Sequence, residues 1–372
     1  MLRKKSFFIF GVAILLVSIA GFTKIAPAKA ETLAGVCGPS YDENAIDNQK
    51  LRDCVKHYID ESVKKNGFIA TSDDLNASVE KLPVINQVCH PFAHFIGAGA
   101  IKELDGDIEK AISHATDYCN WGFFHGMNVE LTNLYSGQEL FDKLHDGCEY
   151  VKKFNFNPYE CAHGMGDAFD IASKMDLLEA MKWCQQIEDE GLHVNCSQGA
   201  ANHWADYYVV DRVKNAPETI KDNEIIKKTM NGDPYYICKQ IENRIDRSGC
   251  FDYLVRVNNA YKTGMAGWEN YCNVFKDPDI ADCFQGVGRE WAYAKGSTMV
   301  SVFNKCLVAK SDMAQQICVI EAINAITQYT RDKEGRQLKE ACGEFKNNTN
   351  IQTACTRAAK NLQPYFEGKF VL

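Results

Sequence analysis

Residues 148–166 read "CEYVKKFNFNPYECAHGMG": two cysteines with twelve residues between them, and His-Gly-Met just after the second. The couple recurs along the chain as Cys148/Cys161, Cys184/Cys196, Cys238/Cys250, Cys272/Cys283, Cys306/Cys318 and Cys342/Cys355, always with ten to twelve residues between partners. None is a C-x-x-C. A structural zinc site gathers four ligands from two close pairs, so these couples read as disulfides rather than as metal sites. All sixteen cysteines fall after residue 30, and an even number there points to an oxidising compartment.

The residues before each first cysteine carry a helical apolar period. In "GQELFDKLHDGC" it is Leu140, Phe141, Leu144 and Cys148, and in "DLLEAMKWC" it is Leu177, Met181 and Cys184. After each second cysteine a new helix-like stretch opens on small residues, as in "CAHGMGDAFDIA", "CSQGAANHWADYY" and "CFQGVGREWAYA". Each couple therefore joins the end of one helix to the start of the next. These starts fall at Cys161, Cys196, Cys250, Cys283, Cys318 and Cys355, with steps of 35, 54, 33, 35 and 37 residues. A second His-Gly-Met at 125–127 extends the series upstream, placing Phe123 in the cysteine slot 38 residues before Cys161, and Cys89 lies a further 34 upstream. A period of 33–38 residues is that of a helical hairpin. The expected fold is all-α: seven to eight hairpins forming a curved solenoid or a closed α/α toroid. The step of 54 marks an insertion near 213–234, expected as a loop or extra helix on the outer side.

The "C…C-x-x-G-x-G" pattern over roughly 89–360 resembles the Sel1-like helical repeats, relatives of the tetratricopeptide fold, in which a cysteine ending one helix bonds a cysteine opening the next. The cysteines here stand farther apart than in that family. The resemblance implies an architecture and no particular activity.

Four cysteines lie outside the six couples. Cys119 ends "DIEKAISHATDYC" and faces a slot held by Phe123, while Cys54 ends "NQKLRDC". By the helix-end rule Cys54 is expected to bond Cys89 across a long polar loop, leaving Cys37 for Cys119. The competing assignment is Cys37 with Cys54 and Cys89 with Cys119. Residues 31–88 thus read as an amino-terminal cap with a long loop, and 89–372 as the stapled repeat domain.

Residues 1–30 have the order of a secretory signal: Arg3, Lys4 and Lys5, an apolar run from Phe7 to Phe22, then Ala28-Lys29-Ala30. An uncleaved membrane anchor is the alternative, since the run approaches the roughly 20 residues that cross a bilayer. Cleavage would remove five of the 41 basic residues and none of the 49 acidic ones, leaving a net charge of −13. Such a charge argues against nucleic acid and against anionic membrane surfaces as partners. The localisation expected is secreted or extracytoplasmic, with membrane contact only through an uncleaved amino-terminal segment.

In a hairpin array, one helix of each pair lines the inner surface, and positions four apart point the same way. Two residues after each start the chain places His125, His163, Gln198, Asp252, Gln285, Ile320 and Arg357; six after, it places Val129, Asp167, Asn202, Arg256, Arg289 and Asn324. This row is polar where a purely structural core is apolar. His90, His94, His125, His163 and His203 all follow closely on helix starts. His90 and His94 are one turn apart, and His125 and His163 hold equivalent places in adjacent repeats. Together these four are the candidate metal ligands, a set that suits zinc or copper. A metal-free alternative uses His163 and Asp167, with Glu130, as acid and base. Gln198, Asn202, His203, Gln285 and Arg289 are the remaining candidate ligand contacts. The histidines can equally serve as structural hydrogen-bonders in a scaffold that binds a peptide or protein on its concave face. A small molecule, a metal ion or a peptide on the inner surface is thus the expected partner. Glycines at the inner helix starts, including Gly126, Gly164 and Gly199, mark either close helix contact or backbone left open for a ligand. His57, His114, His145 and His193 read as surface residues. The chain has no G-x-S-x-G elbow, phosphate-binding loop, H-E-x-x-H or dinucleotide fingerprint.

Overall fold

A computed structural model describes residues 32–40, 49–82, 84–85, 88–116, 118–119, 121–154, 156–209, 235–255, 268–294, 296–330 and 334–366. Residues 1–30, expected as a signal or anchor, residues 213–234, expected as an insertion, and Arg256 lie outside these. The described residues form seventeen α-helices and contain no strand. No helix among them is long and apolar enough to cross a membrane.

The cap consists of α1 (Leu33–Cys37), α2 (Gln49–Asn66) and α3 (Phe68–Lys81). Next come α4 (His90–Glu103), α5 (Ile108–Ser113), α6 (Gly122–Leu131), α7 (Gly137–Val151), α8 (Pro158–Ala172), α9 (Leu177–Cys184) and α10 (Glu190–Val209). The second half holds α11 (Arg244–Tyr253), α12 (Trp268–Cys272), α13 (Asp279–Tyr293), α14 (Met299–Cys306), α15 (Asp312–Thr330), α16 (Arg336–Glu344) and α17 (Thr349–Phe366). Helices α4, α6, α8, α10, α11, α13, α15 and α17 pack each on the next, while α7, α9, α12, α14 and α16 pack against the helix that follows them.

Local sequence explains the boundaries. Helix α8 begins where the Asn157 side chain accepts from the Tyr159 N–H and Pro158 takes the first turn, in which an N–H would have no partner. Asp176 caps α9 in the same way, and Thr298 with Ser301 forms a capping box on α14. Helix α7 turns Leu140, Phe141, Leu144, Cys148 and Val151 inward, the 3.6-residue stripe read from the sequence.

All six regular couples are disulfides. The other four cysteines pair as Cys37–Cys54 and Cys89–Cys119, which overturns the expected Cys54–Cys89 and Cys37–Cys119 bonds. Two features explain the difference. Residues 68–81 are helix α3 rather than part of a long loop, and α1 lies on both α2 and α3, bringing Cys37 to Cys54. Helix α5 ends at Ser113, so Cys119 does not end a helix; it occupies a left-handed turn (φ 58°) that returns the chain to the start of α4, beside Cys89. Phe123, in the slot without a staple, is fully buried.

Each short staple joins a helical segment to the α-helix that follows it. Replacing Cys148 and Cys161 together by serine should cost about 2–4 kcal/mol, read from a denaturant midpoint. Non-reducing peptide mapping of the wild type should find only the eight pairs above, and a cross-link between distant couples would contradict the packing.

A candidate three-imidazole metal centre

Helices α4 and α6, and α8 and α10, meet closely at glycine. A Cβ on Gly126 would lie 1.9 Å from the His94 carbonyl oxygen, and one on Gly199 would lie 1.8 Å from that of His163. Close helix contact, rather than backbone left open, is therefore the role of these glycines. That contact carries the start of α6 onto α4, and histidines from both helices converge there.

His90, His94 and His125 each offer a ring nitrogen, and these three atoms lie within 4.8 Å of one another. The Nε2 atoms of His90 and His94 are 3.1 Å apart, close to the about 3.3 Å that two ligands of a tetrahedral zinc require at Zn–N distances of about 2.0–2.1 Å. His90 directs Nδ1 to the Cys119 carbonyl oxygen at 2.8 Å. His125 directs Nδ1 to Asp167 Oδ2 at 3.2 Å, leaving its Nε2 buried without a hydrogen-bond partner. Donation from Nδ1 to a carbonyl or carboxylate is how a metal-ligating imidazole is held with its Nε2 lone pair toward the ion.

The charges follow from burial and neighbours. Burial lowers the His94 pKa well below its ordinary value, with His90 and His125 adding to the effect. For His125 burial also opposes the charge, but the Asp167 carboxylate outweighs it and the pKa rises. Burial acts upward on Asp167, yet the facing His125 holds its carboxyl well below the usual range.

The other candidate residues are placed as follows. His163 stacks on the His125 ring at 5.2 Å, and its Nε2 lies 3.3 Å from Asn202 Nδ2; it is a neighbour of the three-nitrogen cluster and not a member. Asp167 bonds to His125, and Glu130 is ion-paired with Lys102 at 3.0 Å, away from the acid–base set expected around His163. Gln198, Gln285 and Arg289 converge on Asp252: both amides donate to its Oδ2, and Arg289 Nη1 reaches both carboxylate oxygens at 2.9 Å. Arg289 also lies 3.6 Å over the Tyr253 ring, which faces His163 at 5.3 Å. His203 pairs with Asp170 at 2.8 Å. His193, expected at the surface, is buried against Asp246, which also accepts from Ser197 and Gln185. This Asp246 knot ties α9 and α10 to α11. Asp170 escaped the sequence reading, although it lies three residues after Asp167 and seven after His163, on the same helical face.

Several buried carboxyls sit above their ordinary pKa. Burial pushes Asp170 and Asp282 up to about 6, against the pull of His203 and Arg244 respectively, and it also raises Asp252, Glu160 and Glu321. The folded chain thus binds more protons than the unfolded chain from about pH 4 upward through these native values, so stability falls as pH rises through that window. His125, raised, acts in the same direction; His94, lowered, acts in the opposite one. Metal-free protein in chelator should melt at a higher temperature at pH 5.5 than at pH 7.5, as checked by calorimetry; the reverse order would refute this balance. No family model, curated protein or solved structure matches the chain.

Proposed function

We propose that this chain is an exported, disulfide-stapled helical-array protein that holds one transition-metal ion, zinc or copper, on His90, His94 and His125. One observation carries the reading. Three imidazoles from two helices converge, His90 and His125 are each tied back through Nδ1, and His125 Nε2 is buried with nothing to bond. A buried polar atom without a partner is costly, and an ion at that point would satisfy it. Three protein ligands leave a fourth position for water or a bound molecule, the arrangement of catalytic rather than structural zinc. Export is supported by the signal-like residues 1–30 together with the eight disulfides, and kinship with Sel1-like arrays by the stapled hairpins.

The test is metal analysis of purified, oxidised protein after dialysis against zinc or copper. About one ion per chain is expected, retained in a His163→Gln variant. Affinity should fall as pH drops from 7.5 to 5.5, since bound imidazoles must give up protons. A chain that binds neither metal more tightly than a disulfide-intact protein lacking a histidine cluster would sink the proposal.

A further inference from the structure

We infer that the Cys89–Cys119 disulfide sets the metal affinity of the three-imidazole centre by holding His90 in its ligating orientation, so that full affinity appears only after this bond has formed; the assignment rests on the metal reading above. Cys89 is the residue before α4, and His90 is the first residue of that helix. Cys119 stands 30 residues on, in the turn that leads into α6. Its carbonyl oxygen accepts from two donors, the Gly122 N–H at 3.2 Å and His90 Nδ1 at 2.8 Å. One atom of a half-cystine therefore closes the turn and fixes the ring whose Nε2 lies 3.1 Å from that of His94.

That carbonyl has to be held in place. Cys119 and Trp121 are both left-handed, at φ 58° and φ 61°, and neither is a glycine. L-residues persist in this region only where the surrounding structure keeps them there, and a covalent link to the start of α4 is such a hold. The turn is also pressed onto α4 where it ends: a Cβ on Gly122 would lie 2.6 Å from the His90 carbonyl oxygen and 3.1 Å from His94 Cδ2. Without the bond the turn can relax toward right-handed backbone, which withdraws the Cys119 carbonyl from His90 Nδ1. The ion then meets an imidazole no longer kept in one orientation, and the cost of ordering that ring is subtracted from binding. The six short staples have no such role, because each spans 11–13 residues and none of their cysteines adjoins a cluster histidine in sequence. At Cys161 the carbonyl accepts instead from Asn128, which is not in the cluster.

Forming the bond is a two-electron oxidation, and its co-reactant is a disulfide-bearing oxidant of the export compartment. One thiolate of the chain attacks a sulfur of that disulfide, which forms a mixed disulfide and releases one sulfur of the oxidant. The second thiolate then attacks the chain's own sulfur, the Cys89–Cys119 bond forms and the oxidant's other sulfur leaves. Two protons pass from the chain's thiols to the two departing sulfurs, so that dithiol and disulfide exchange places. Metal capture follows this oxidation. The order reserves the centre for an oxidising compartment and keeps a reduced chain from holding the ion at full strength.

The experiment uses the full chain with zinc as the probe. Zinc content of the oxidised wild type is measured first: no bound zinc removes the metal proposal and this inference together. With zinc bound, Cys89→Ser/Cys119→Ser should lose about 10–100-fold in affinity in a competition titration, the usual weight of groups that orient a ligand. Cys148→Ser/Cys161→Ser, which removes a short staple, should change affinity by less than about threefold. Nitrogen-15 spectra of the metal-free protein give a readout that lost stability alone does not move. The His90 proton should sit on Nδ1 in the wild type and in the staple control, and divide between both ring nitrogens in Cys89→Ser/Cys119→Ser. A second measurement needs no variant to fold: a phosphine reduces the wild type, taking oxygen from water as each disulfide becomes two thiols, and alkylation with mass spectrometry reads each bond. Zinc should slow the breakage of Cys89–Cys119 by at least about tenfold and that of Cys342–Cys355 by less than about twofold. Wild-type affinity in a folded Cys89→Ser/Cys119→Ser chain, equal losses in the two double variants, or the same zinc effect on both disulfides would each overturn the inference and leave the metal reading standing.

Discussion

Replacing Gly126 by valine should separate α6 from α4, abolish zinc binding and lower the melting temperature by roughly 2–5 °C. The cause is a backbone collision. The added Cβ would lie 1.9 Å from the His94 carbonyl oxygen and 2.6 Å from its Cα, and no side-chain rotation moves a carbonyl. Overpacking of this kind typically costs about 1–3 kcal/mol and more where backbone must shift, at about 1–2 °C per kcal/mol in a chain of this size. The metal effect arises because the colliding residue, His94, is itself one of the three candidate ligands, and Gly126 follows another, His125. A control separates the collision from helix propensity: Gly343, on α16, has nothing within 4 Å of its Cβ position, so Gly343→Ala should be neutral or stabilise by up to about 1 kcal/mol. Wild-type melting and zinc content in Gly126→Val would mean that the two helices do not touch there.

The second large effect belongs to His125. His125→Ala removes one of three nitrogens and should reduce zinc from about one equivalent to none detectable in a competition titration against a chelator, a loss of at least about 10³-fold. Asp167→Asn keeps an acceptor for His125 Nδ1 but removes the charge, and the loss should be about 10–100-fold, the usual weight of a group that orients a ligand. His163→Gln should change affinity by less than about threefold. The graded order of the three variants is what identifies the centre. Equal affinity in His125→Ala and wild type would remove it, provided that the eight disulfides and helix content are intact.

Much of the all-helical fold could be read from the chain because its helices are marked twice over, once in cysteine spacing and once in helical period. Either signal alone is ambiguous; together they located helices α8, α10, α11, α13, α15 and α17, though each begins three to six residues before the second cysteine that was taken as its start. The cap could not be read in this way. Cys37, Cys54, Cys89 and Cys119 have no constant spacing, and the true partners were decided by helix α3 and by the left-handed turn at Cys119. His193 was misplaced for a related reason: its partner Asp246 is 53 residues away, and no local pattern announces a buried pair at that distance.

The candidate site divides along the same line. The sequence by itself determined that His90 and His94 share a helical turn, that His125 and His163 hold the same place in two His-Gly-Met triplets, and that polar residues stand at fixed offsets after the second cysteines, because each is a matter of spacing along the chain. Only the tertiary structure decided which histidines meet. Helix α6 rests on α4 at Gly126, bringing His125 to His90 and His94, while Asp167 reaches across from α8 to turn the His125 ring. His163, one repeat farther along, stacks behind that ring and points to Asn202 instead. Equivalence between repeats is a property of the chain, but the convergence of three nitrogens depends on how closely neighbouring helices pack, which here is set by the absence of a Cβ at a single contact.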